Sequence, residues 1–72
     1  MTESLVTNEE KLVLINDRIK TLQYFLYEVE LGLAEENAGS SPSPEKISDL
    51  NDQKADLESK IDAMKAKKAI IV

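Results

Sequence analysis

Asp49, Asp52, Asp56 and Asp62 recur along the second half of the chain and are its first candidates for chemistry. Carboxylates grouped this way can act as an acid–base pair or hold a hard cation. On a straight helix, however, acids three and four residues apart point outward together and do not enclose an ion. A solvated helix face is the plainer reading. With no histidine and no cysteine in the chain, the usual nucleophile–base pairs and the nitrogen- or sulfur-ligated metal sites cannot be built. Two glycines do not make a phosphate-binding loop. No catalytic residue, no cofactor and no metal is therefore expected, and an enzyme is the least favoured class.

Two other short segments could carry a signal. Ser40-Ser41-Pro42-Ser43-Pro44 contains Ser-Pro pairs that a kinase could recognise, although turn chemistry alone accounts for them. Ala69-Ile70-Ile71-Val72 could enter a PDZ-type groove as an apolar tail, but Ile71 also fits as the last layer of a helical seam.

The elements that position these residues follow from hydrophobic spacing. Leu12, Ile15, Ile19, Leu22, Leu26, Val29 and Leu33 recur at alternating intervals of three and four, the a and d positions of three heptads. Ile47, Leu50, Lys54, Leu57, Ile61, Met64, Lys68 and Ile71 repeat the pattern, with lysine at two a positions. Between them, Asn37-Ala38-Gly39-Ser40-Ser41-Pro42-Ser43-Pro44 interrupts any helix. The expected fold is all-α, an antiparallel two-helix coiled-coil hairpin that assembles into a helical bundle. Its expected parts are an N-terminal tail (1–7), helix 1 (8–37), a Gly/Ser/Pro loop (38–43), helix 2 (44–69) and a C-terminal tail (70–72), all in one domain.

Helix-end chemistry supports those limits. Thr7-Asn8-Glu9-Glu10 has capping-box spacing, and Glu9 and Glu10 put negative charge at the positive end of the helix dipole. Ser43, Pro44 and Glu45 suit an N-cap, N1 and first turn. Gly39 is available for a left-handed turn closing helix 1. Antiparallel layering would pair Leu33 with Leu50, Leu26 with Leu57, Leu22 with Ile61 and Ile19 with Met64, although a slide of half a layer would keep the same periodicity. Glu9 and Glu10 near Lys65 and Lys68 would favour this register, and Arg18 near Lys67 would oppose it.

Composition limits the partners. Seventy-two residues folded as two helices have little interior, and without disulfides or zinc ligands the remaining sources of stability are self-association and docking. A net charge of −5 argues against nonspecific nucleic-acid binding. The excess acid lies in residues 1–36, with eight acids and three bases; residues 43–72 carry six of each. No apolar stretch approaches the roughly 20 residues of a membrane span, and no basic-then-apolar leader is visible. A cytoplasmic protein that binds neither membrane nor nucleic acid is the expectation.

Helix 1 is apolar on a second side. Tyr24 and Leu31 (f positions), with Tyr27 and Val13 (b positions), point away from the seam, and Leu14 and Phe25 flank them. A helix apolar on two sides is usually covered on two sides, and tyrosine is enriched where proteins meet. Val13, Tyr24, Tyr27 and Leu31 are therefore the candidate interaction surface, and Leu12, Ile15, Ile19, Leu22, Leu26, Val29, Leu33, Ile47, Leu50, Leu57, Ile61 and Met64 the hairpin seam. Lys54 and Lys68 read as solvated breaks whose stems lie on neighbouring leucines; alternatively, Lys54 fixes oligomer state or register.

The run from Leu22 to Ala38, LQYFLYEVELGLAEENA, together with Thr7-Asn8-Glu9-Glu10-Lys11 and the Ser-Pro loop, resembles small proteins encoded by tailed phages of marine cyanobacteria. The resemblance spans nearly the whole chain. It implies a viral origin, and hence a place in the virion or in the host-cell cytoplasm, and it brings no functional residues with it. The expected function is structural or assembly work through helix–helix self-association, as a homo-oligomer with a dimer favoured. The alternative is a small adaptor or inhibitor that docks another protein on the aromatic face of helix 1.

Overall fold

The computed structural model describes residues 6–71. It contains two helices, α1 (Asn8–Ala38) and α2 (Pro44–Ile71), joined by a five-residue turn, with no strand among the described residues. The N-terminal-tail assignment for residues 1–5, and the C-terminal one for Val72, lie outside the described residues.

The first helix starts where its polar residues can satisfy its free amides. The Glu10 amide donates to Thr7 Oγ1 at 3.1 Å, and the Thr7 amide donates back to Glu10 Oε1 at 3.3 Å, a complete capping box. At the second helix, the Ile47 amide donates to the Ser43 carbonyl at 3.0 Å and the Lys46 amide reaches Ser43 Oγ at 3.4 Å. Ser43 thus serves as N-cap with Pro44 at N1, where proline's missing N–H costs nothing.

Three terminal assignments change. Helix α1 includes Ala38, one residue more than expected, because the Gly39 amide donates to the Glu36 carbonyl at 3.3 Å and closes another turn. Gly39 does not adopt a left-handed conformation: its φ of −68° and ψ of 158° are extended. The chain leaves α1 extended, and the Ser43 amide beyond the turn donates to the Glu36 side chain. Helix α2 continues to Ile71 instead of stopping at 69, so Ile70 and Ile71 belong to the helix. Ile71 is half-buried and extends the seam, and Lys68 in the last turn complements the negative end of the dipole.

The helices pack antiparallel. Near the open end Leu14 and Ile15 share a groove with Met64 and Ile71. In the middle Leu26 adjoins Ile61, and towards the turn Phe25 and Val29 adjoin Leu50 and Leu57. Gly32 lies against Leu50: a Cβ built there would sit 3.5 Å from the nearer Leu50 methyl.

Burial follows the heptads. Leu12, Ile15, Ile19, Leu22, Leu26, Val29 and Leu33 are all half-buried, as are Ile47, Leu50, Lys54, Leu57, Met64, Lys68 and Ile71. Among the described residues Ile61 alone is buried, at 5 % exposure. Two helices touch along one line and, among the described residues, no third element closes over it, so the seam side chains other than Ile61 keep an open flank.

Candidate interaction surface

The most distinctive surface of the hairpin is the side of α1 that faces away from α2. Tyr24 is 67 % exposed, Tyr27 61 %, Val13 59 % and Leu31 44 %. They occupy b and f positions, so the same periodicity that turns Leu22 and Leu26 towards α2 turns these four outward. Phe25 flanks them and meets the Tyr24 ring edge-on, with centroids 6.4 Å apart and planes at 81°. Leu14, also exposed, joins Val6 and Val13 in a shallow groove edged by Glu9 and Glu10.

Tyr24, Phe25, Tyr27 and Leu31 form one apolar patch, and Asp17 and Lys20 separate it from Val13 and Leu14; clustered exposed apolar side chains of this kind mark association surfaces. The opposite helix offers no match. The outward residues of α2 include Asp49, Asp52, Asp56 and Asp62, all exposed, and its one large outward hydrophobe among the described residues is Ile70.

The aspartates do not converge. Asp56 pairs with Lys60 along the helix at 2.8 Å, and among the described residues no group of three or more acids is placed to hold a metal ion. An exposed pair one turn apart contributes about 0.5 kcal/mol or less. The proposed approach of Glu9 and Glu10 to Lys65 and Lys68 forms no ion pair. Among the described residues no helix is long and apolar enough to cross a membrane.

The seam lysines are half-buried and sit in line with the leucines around them. A lysine stem can cover apolar surface while its ammonium stays in water, and an open two-helix seam gives that ammonium an exit on either side.

Sequence reasoning missed the structure of the turn. Glu36 occupies the d position that follows Leu33, one step past the last apolar residue of the seam. Its carboxylate accepts the Ser43 amide at 2.8 Å, tying the end of α1 to the start of α2. The available signal was the heptad itself, carried one step past the last leucine. Gly32 was also passed over, although it occupies a g position beside the seam and faces Leu50.

Comparison with known protein families, with curated proteins and with solved structures finds no match to this chain.

Proposed function

We propose that this chain is a structural or assembly protein that acts by self-association of its hairpins through the outer face of α1. One observation carries the reading: among the described residues a single side chain, Ile61, is buried, while Val13, Tyr24, Tyr27 and Leu31 lie uncovered on one face. A chain of this size with so little interior gains most of its stability by covering that face. An interface on the order of 1,500 Å² would cover that face, with its aromatic side chains as the anchors, and would join two thin hairpins into a four-helix assembly with the α1 helices inside and the α2 helices outside. The commonest form of such an assembly is a dimer with a two-fold axis. The resemblance to phage proteins suggests a virion or an infected cell as its setting.

Light scattering on the purified chain is the direct test. The unmodified protein should be dimeric at micromolar concentration, and Tyr24→Glu with Tyr27→Glu should dissociate it while leaving most of the helix content. A monomeric unmodified protein, or a fully assembled double variant, excludes this face as the self-association surface.

A second reading follows from the concentration of aromatics. Tyr24, Phe25 and Tyr27 are all the aromatic residues of the chain and lie within one helical turn. Such a cluster also suits an adaptor or inhibitor that lays α1 into the groove of another protein. A monomer with Tyr24 and Tyr27 free would favour that reading.

A further inference from the structure

We infer that two copies of this chain dock antiparallel along α1, about a two-fold axis that sets Tyr24 over the partner's Tyr27. This rests on the self-association reading and adds orientation and register to it.

Charge decides the orientation. Docking on the side of α1 away from α2 opposes the charges of α1 to those of the partner's α1. Residues 6–23 carry three acids and three bases, a net of zero, whereas residues 24–38 carry four acids and no base, a net −4. Parallel docking would lay −4 on −4. Antiparallel docking lays each acidic half along the partner's neutral half, which includes Arg18 and Lys20. Parallel alignment would also oppose Asp17 to the partner's Asp17 and Lys20 to the partner's Lys20 within the stripe.

Register follows from the stripe itself. Val13, Asp17, Lys20, Tyr24, Tyr27, Leu31, Ala34 and Ala38 alternate at intervals of four and three, so antiparallel copies interlock only in registers one heptad apart. A register that sets Tyr27 over the partner's Leu31 brings Glu28 against the partner's Glu28 and Glu30 against the partner's Glu30, four acids at the centre. Shifting two heptads the other way sets Tyr27 on the partner's Asp17 and Tyr24 on the partner's Lys20, and the aromatics no longer meet.

The register between them avoids both defects. Tyr24 lies across the partner's Tyr27, twice by symmetry, and both rings are exposed in the single hairpin. The Lys20 stem covers the partner's Leu31, with its ammonium among the partner's Glu28, Glu30 and Glu35. On the flanks, Gln23 meets the partner's Glu30 and Thr21 meets the partner's Glu28, neutral donors beside carboxylates.

Because the chain has no cysteine, introduced thiols report the register cleanly. Gln23 and Glu30 are exposed, and within one chain they lie about 10 Å apart along a rigid helix, beyond the reach of a disulfide. Mild oxidation should convert the Gln23→Cys/Glu30→Cys double variant to a covalent dimer while each single variant stays uncrosslinked. Efficient crosslinking of Gln23→Cys alone, or of Glu30→Cys alone, shifts the register by a heptad and overturns it, leaving self-association intact. Crosslinking of Tyr24→Cys alone points to parallel chains and overturns the orientation. A dimer in which none of these variants crosslinks places the interface elsewhere, and a monomeric unmodified chain removes self-association and register together. Raising salt from about 50 to about 500 mM should weaken the dimer about tenfold, because exposed charges are then screened within a few ångströms; an unchanged dissociation constant contradicts the charge argument.

Discussion

The Ser43 amide donates to the Glu36 carboxylate at 2.8 Å, so a side chain in the last turn of α1 holds the N-cap residue of α2. A helix N-terminus presents free amides and partial positive charge, and a carboxylate beside it satisfies both. Glu36 is half-buried and stands in the seam register, which keeps its side chain on the α2 side of the turn. The turn is thus closed by a charge-assisted hydrogen bond as well as by its length.

Glu36→Ala should therefore destabilise the hairpin by about 1–2 kcal/mol, by loss of a charge-assisted hydrogen bond to a helix start. Glu36→Gln keeps an acceptor oxygen and should lose less. Urea denaturation of the two variants at one protein concentration gives the comparison, and equal stability of Glu36→Ala and the unmodified chain would falsify the structural role of this contact.

Ile61 should be the most sensitive seam position. As the residue with 5 % exposure, it should lose about 2–4 kcal/mol on replacement by alanine. Leu12, half-buried in the outermost layer, should lose about 1 kcal/mol because water already reaches its side chain. Denaturation midpoints in the reverse order would mean that another layer is the centre of the packing.

Gly32→Ala should stabilise the protein by about 0.5–1 kcal/mol. Glycine inside a helix costs that much relative to alanine, and the added Cβ would meet Leu50 at 3.5 Å, an ordinary contact. A rise in thermal midpoint is the expected readout; a fall would show that the helices approach more closely at this layer than the hairpin alone requires.

Lys54→Leu should be neutral or stabilising, since it completes an apolar seam and removes no ion pair. A loss above about 2 kcal/mol, with oligomeric state unchanged, would assign Lys54 a specific polar contact in the assembly. Conversion to a different oligomeric state would instead mark it as a residue that fixes assembly, as single polar a-position residues can.

The heptads were enough to specify two helices, and Gly39, Pro42 and Pro44 were enough to place a turn between them, because local periodicity and backbone restriction act within a few residues. The same periodicity told Leu22 from Tyr24: neighbours two apart on a helix face opposite ways, so the exposure of Tyr24, Tyr27 and Leu31 could be read from spacing alone. The turn was not legible in this way. Glycine at position 39 suggested a left-handed residue, yet the backbone there is extended, and the turn is tied by a hydrogen bond between Glu36 and Ser43 that exists only once the second helix has folded back. The same holds for charge. Along the chain the acids appear as an excess in residues 1–36, but pairing the helices regroups them into a basic-leaning open end and a strongly acidic turn end. Short-range rules belong to the sequence because they involve neighbours in the chain; the cap across the turn and the charge distribution of the hairpin involve neighbours in space, and tertiary folding alone decides which residues those are.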